Sequence, residues 1–241
     1  MGAGDQGERG GRGLMLTRRK ETMRSVIAAV LLAEQLKRVF ENPPAWTPEV
    51  KREVAFGQRP PKEAAVLIPI VLRGEQGSDP HVLLTQRTMH LSSHAGQIAF
   101  PGGKVDAEDA TVEAAALREA QEEVGLSPEF VDILGTMPSY VTGTAFHITP
   151  VVGLVSPAHV VTPNAFEVAD VFEVPLSFLM NPMNHRLHQW ERDGVMRQWY
   201  SMPYSEPPAL PSETSNERFI WGATAGMIRN FYRFLLAANS L

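Results

Sequence analysis

Apolar residues along the chain switch between two periods, and the switches predict its elements. Residues 21–40 carry apolar positions at helical spacing and read as a helix. A proline-containing connector follows over 42–61. The run 66–72 is continuously apolar and partly β-branched, as in a strand buried on both faces. A polar turn over 74–80 leads to a second strand, 81–87. A short third strand, 97–100, ends at Pro101-Gly102-Gly103. Residues 109–124 read as a helix with Leu117, Ala120 and Val124 on one side and Gly125 as its stop. Strands are expected over 131–137 and 146–155, and a mixed strand–helix signal covers 166–178. A hairpin is expected over 187–200 around Asp193-Gly194, and a closing helix over 219–238. Strands and helices alternate irregularly and no internal repeat is present. That pattern predicts an α/β or α+β single domain.

Composition narrows the picture mainly by exclusion. The 241 residues are 44% hydrophobic and 20% charged, which is ordinary for a globular chain. The absence of cysteine excludes a disulfide framework, a thiol nucleophile and a thiolate metal site. The net charge of −5 disfavours a broad nucleic-acid surface. No run of 18 apolar residues is present, so no membrane span is expected. The apolar stretch 26–33 follows Arg18, Arg19, Lys20 and Arg24, as in a signal peptide. A charged run starting at Glu34 follows it without a cleavage pattern, so an amphipathic helix is the better reading. Six glycines in the first thirteen residues predict disorder over 1–20, followed by a helix and connector over 21–62 and one domain over 63–238. Cytoplasmic location is the default expectation, and a homodimer is compatible with the sequence.

The charge is unevenly placed. Residues 102–125 hold seven acidic and two basic residues, and the rest of the chain is neutral. Within that stretch Glu119, Glu122 and Glu123 fall within about 100° of arc on the helix, which predicts one acidic face opposite Leu117, Ala120 and Val124. These carboxylates sit in the last turns, where the helix dipole and like-charge i,i+4 pairs each cost about 0.3–1 kcal/mol. A hard divalent cation would offset those costs; a solvated acidic face has the same pattern. Gly102 and Gly103 at the preceding strand end would allow a phosphate to approach the backbone.

Together these residues resemble the Nudix box, G-x5-E-x7-R-E-U-x-E-E-x-G-U, with U aliphatic. Arg118, Glu119, Ala120, Glu122, Glu123, Gly125 and Leu126 match its second half, and Gly103 matches its first glycine. The interval from Gly103 to Arg118 is one residue longer than the pattern. The first acidic slot is Asp109 counted forward and Ala110 counted back, and Asp109 reads equally well as the helix N-cap. Upstream, Leu83-Leu84-Thr85-Gln86-Arg87-Thr88 and then His94 to Gly103 resemble the extra signature of the coenzyme A pyrophosphatase branch. Weaker likenesses cover 166–176 and 220–225.

The resemblance implies a Nudix fold, a mixed β-sheet between helices. It also implies hydrolysis of the diphosphate of coenzyme A or a derivative to 3′,5′-ADP and (acyl-)4′-phosphopantetheine. Glu119 and Glu123 would ligate Mg²⁺ or Mn²⁺, and Glu122 would be a further ligand or would polarise the attacking water. Arg118 would orient this cluster. Gly102, Gly103 and Lys104 would shape the phosphate approach, and Arg87 and His94 would contact substrate phosphate. Glu167 is a candidate general base, whereas His147 reads as a core histidine. The rivals are a Nudix hydrolase of ADP-ribose or NADH, and a non-catalytic nucleotide-binding module.

Overall fold

The computed structural model describes residues 32–55, 60–91, 94–192, 194–208 and 214–239. The expected disorder over 1–20, residues 21–31 of the first helix and Asp193 of the hairpin turn lie outside these residues.

The first strand, β1 (Lys62–Val71), organises the main sheet. It runs parallel to β7 (Phe146–Val155) in unbroken register from Lys62↔Phe146 to Val71↔Val155. On its other edge, the early half of β1 pairs with β4 (Gly102–Lys104) and its end pairs with β2 (His81–Arg87). Leu67 N–H donates to Pro101 O on that edge, and Pro69, two residues on, faces the same side. Pro69 therefore stands between the β4 and β2 pairings, where its missing donor costs no ladder bond. β2 also carries β3 (Ile98–Ala99) and β8 (Val168–Pro175), and β7 carries β5 (Val131–Thr136) and β6 (Tyr140–Val141).

Because β1 is buried on both faces, its side chains divide by period two into two cores. Ala65, Leu67 and Val71 pack with Ala115, Ala116, Ala120 and Val124 of α2 (Val112–Val124). Val66, Ile68 and Ile70 pack in the cluster that holds Ile228, Phe231 and Leu235 of α4 (Gly222–Ala238). The sheet thus lies between two helices, the α+β arrangement expected. Two shorter helices stand among the described residues, α1 (Ala33–Glu41) and α3 (Leu176–Leu179).

A second sheet of β9 (Arg186–Arg192), β10 (Val195–Glu206) and β11 (Asn216–Trp221) stands apart from the first. Its last strand corrects the expected closing helix. Residues 219–221 belong to β11, where Arg218 and Ile220 are buried and their neighbours are exposed. Gly222, at φ +65°, turns the chain from strand into α4. Buried Arg218 joins the two sheets: it pairs with Glu206 on β10 and Asp170 on β8, donates to Gln86 on β2, and lies over the Phe172 ring. The connector is tied down at Glu49 and Val50. Asn230 of α4 exchanges two hydrogen bonds with the Val50 backbone, and Glu49 accepts from Tyr200 and Arg229.

Candidate active site

The site begins with two glycines that no other residue could replace without displacement. A Cβ on Gly102 would lie 2.4 Å from Ala65 O and 2.6 Å from Val66 Cα, so only glycine lets β4 press against β1. A Cβ on Gly103 would lie 2.5 Å from the Glu119 carboxylate, so that space belongs to the acid. The chain then enters α2. Thr111, not Asp109, is the N-cap: its hydroxyl accepts from Ala114 N–H at 3.1 Å. The helix starts at Val112, three residues later than expected, and ends at Gly125 with φ +69°.

Asp109 instead grips Arg118 through two bonds, Nε–Oδ1 at 3.0 Å and Nη2–Oδ2 at 2.9 Å. This guanidinium lowers the Asp109 pKa below the ordinary carboxylate value. Asp109, the acidic slot counted forward from Gly103, is thus the residue that meets Arg118. Arg118 also donates to Lys104 O at 3.0 Å and to Glu119 and Glu122 at 3.1 Å each. One side chain thus fastens the loop before α2 to two acids of its last turns.

The three glutamates do not share one solvent face. Glu123 is only 5% exposed and falls with Ala116, Ala120 and Val124 on the inward side. Glu119, one turn earlier, is mostly covered, while the Glu122 side chain is 60% exposed. An i,i+4 pair thus points toward β4 and the third acid points to water. Glu123 Oε2 accepts from Gly102 N–H at 3.1 Å, and Oε1 lies 3.4 Å from Arg87 Nη1. Burial nevertheless dominates, and with help from the charges of Glu119 and Glu167 it pushes the Glu123 carboxyl up to about 7. Burial raises Glu119 as well, partly opposed by Arg118.

Other expected residues are less tightly held. His94, at φ +57°, is exposed with Nδ1 2.7 Å from Gln97 Oε1. The Lys104 backbone serves Arg118 while the residue itself borders the cleft described below. Arg87 Nε is buried with no protein hydrogen-bond partner. Glu167 is brought close enough for its charge to act on Glu123. His147 is corrected: its side chain is 35% exposed and sits 3.4 Å from Glu63, because its end of β7 runs past the core.

Among the described residues, no three acidic or imidazole groups form a ready-made metal cage. The donor chemistry still fits a hard dication. Two desolvated carboxylates repel each other, both are shifted toward protonation, and oxygen is the only donor type they offer. A cation there would relieve both effects.

Beside this face opens a cleft of about 860 Å³. Its lining includes Arg87, His94, Gly102, Gly103 and Lys104. Most of its surface is apolar, with Phe146, Trp190, Trp199 and Trp221 in its wall. Trp190 and Trp199 lie in the expected hairpin and Trp221 in the weaker likeness over 220–225, with no site role expected of any of them.

The fold and this motif define a Nudix protein, and the chain belongs to that family: the NUDIX domain matches residues 61–203. It is 44% identical over 169 residues to a protein of Citrobacter koseri called "Uncharacterized Nudix hydrolase NudL", covering 70% of this chain and 80% of that one. A protein of the same name from Escherichia coli O1:K1 is 42% identical over 183 residues, or 76% and 85% of the two chains. A solved MutT/nudix family protein of Enterococcus faecalis overlays with TM-score 0.43 at 16% identity, covering 83% of this chain and 73% of that one. As a Nudix hydrolase, the chain is a pyrophosphohydrolase of small molecules, and members of the family generally use divalent metal ions. No helix among the described residues is long and apolar enough to cross a membrane.

Proposed function

We propose that the protein hydrolyses the diphosphate of coenzyme A or a coenzyme A derivative. One observation carries this reading. Arg87 and His94, from the two runs that resemble the coenzyme A pyrophosphatase signature, line the same cleft as Gly102, Gly103 and Lys104. One substrate could thus contact both runs while its diphosphate lies by the acidic pair. The catalytic unit extends over 63–238, since α4 fills one of its two cores.

In this reading Glu119 and Glu123 hold Mg²⁺ or Mn²⁺, with Glu122 adding a third oxygen or polarising water. The metal supplies charge neutralisation at the diphosphate and a more acidic water. Arg118 keeps Glu119 and Glu122 oriented, and Arg87 and Gly102 N–H orient Glu123. Glu167 is the candidate to accept the proton of the attacking water. The water oxygen bonds to one phosphorus, the bridging P–O bond breaks, and the bridging oxygen leaves on the second phosphate. The products are 3′,5′-ADP and (acyl-)4′-phosphopantetheine. Arg87, His94 and Lys104 counter the phosphate charges.

The test is turnover of coenzyme A, ADP-ribose and NADH side by side with Mg²⁺ and with Mn²⁺, products separated by chromatography. Coenzyme A should show the highest kcat/KM, and Glu123→Gln should abolish its hydrolysis. Faster turnover of either rival overturns the substrate assignment. No turnover of any diphosphate with metal present overturns the catalytic one.

A further inference from the structure

The second sheet presents a face that catalysis at the acidic helix does not use. Cross-strand pairs share a face, so the register Arg197↔Trp190, Trp199↔His188, Ser201↔Trp221 and Pro203↔Phe219 places these side chains together. The opposite face holds buried Met202, Ile220 and Arg218. Three tryptophans of the first face, Trp190, Trp199 and Trp221, line the same cleft as Gly102 and Gly103. We propose that this face is an apolar subsite for the acyl chain of an acyl-CoA thioester, with Trp190, Trp199 and Trp221 setting the preference for acylated over free coenzyme A. The inference rests on the coenzyme A reading and deepens it.

Three observations select an acyl chain. The wall shares one cleft with Arg87, Gly102 and Gly103, so a substrate whose diphosphate lies beside them can send one arm along it. The apolar face also continues past the cleft. Phe219, two residues before Trp221 on the same face, is 51% exposed and lies beyond the cleft lining. An occupant that follows the stripe is elongated, unlike a compact base. Finally, the polar groups of this face are engaged elsewhere. His188 Nε2 and Ser201 Oγ are 2.7 Å apart, and Arg197 donates to Val54 O at 2.8 Å. Apart from its indole N–H groups, the wall therefore offers ring surface and few partners for the hydrogen-bonding edge of an adenine.

The wall is held in place without its tryptophans. Arg218 ties β11 to β8 and β2 from the buried face, and Arg197 ties β10 to the connector. Removing an indole should therefore change binding more than folding.

The test is a steady-state series of free, butanoyl-, octanoyl- and dodecanoyl-coenzyme A under one metal condition. KM should fall as the chain lengthens, by about tenfold from free to octanoyl coenzyme A, because each buried methylene adds to binding. Because that contact lies away from the reacting phosphates, kcat should stay within about twofold across the series. Trp190→Ala and Trp221→Ala should shrink the octanoyl preference to below about threefold, and Trp221→Phe should keep most of it. An enzyme that turns over coenzyme A with a flat KM series overturns the subsite and leaves the coenzyme A reading standing; this outcome needs no variant. Alanine variants that lower kcat/KM for every chain length equally overturn it too, since they report structure. If no coenzyme A species is hydrolysed while ADP-ribose is, the coenzyme A reading fails and the subsite falls with it.

Discussion

Gly103 and Glu119 occupy one another's space: the side chain that Gly103 lacks would lie 2.5 Å from the carboxylate of Glu119. The acid is mostly covered and also held by Arg118, so it has few other places to go. Gly103→Ala should therefore displace the carboxylate rather than break the strand. We expect kcat to fall by about tenfold or more with a stability change under about 1 kcal/mol, because a side-chain end yields more readily than backbone. Steady-state kinetics beside urea unfolding would decide it, and an alanine variant of full activity would show that Glu119 needs no fixed position.

Glu123 gives the metal-free protein a specific pH dependence. Its carboxyl is held at about 7 in the fold, against an ordinary 4.5. Between these values the folded chain binds a proton that the unfolded chain does not. The contribution of Glu123 to stability is complete below about pH 4.5 and is lost as the pH rises through 7, a change on the order of 3 kcal/mol. Denaturation in EDTA at several pH values should show this loss in the wild type, and Glu123→Gln should flatten it. A slope that survives in the glutamine variant would refute the assignment. Added Mg²⁺ should stabilise the wild type most at the alkaline end, where the carboxylate is free of its proton.

How much of this was legible in the sequence depended on the distance over which information acts. The acids and Arg118 lie within about one and a half turns of each other, so their spacing alone put them on one stretch of helix. The inward turn of Glu123 was hidden, because only contact with β1 and β4 decides which side of α2 is core. The contact of Asp109 needed the path of the loop: two counts gave two residues for one slot, and only the folded loop brings Asp109 to Arg118. The strand at 219–221 looked helical because an apolar run adjoins a true helix, and only the pairing with β10 separates them. The tryptophan wall is assembled by strand register among three segments, so local pattern could not show it.

Arg218 should be the costliest surface-sheet residue to remove. It is only 6% exposed and serves Asp170, Glu206 and Gln86 at once. Arg218→Ala leaves two partly covered acids without their shared cation and should destabilise the fold by about 3 kcal/mol. Equilibrium urea unfolding measures this. A loss below about 1 kcal/mol would place the pair among exposed, weakly contributing ion pairs.

Arg87 stands between the acid and the cleft. Its Nη1 lies 3.4 Å from Glu123 Oε1, a long contact, and its Nε is buried without a protein partner. A guanidinium with an unmet donor beside a cleft is poised to bind an incoming anion, and phosphate oxygens are the anions this site is read to receive. Arg87→Lys keeps the positive charge and loses the fork. It should raise KM for coenzyme A by about tenfold, the scale of one charge-assisted bond, while kcat falls less. Arg87→Ala also removes a cation from beside Glu123. In the metal-free protein the carboxyl should then titrate at still higher pH, readable by NMR of the labelled side chain. An alanine variant with unchanged KM would mean that Arg87 serves Glu123 alone.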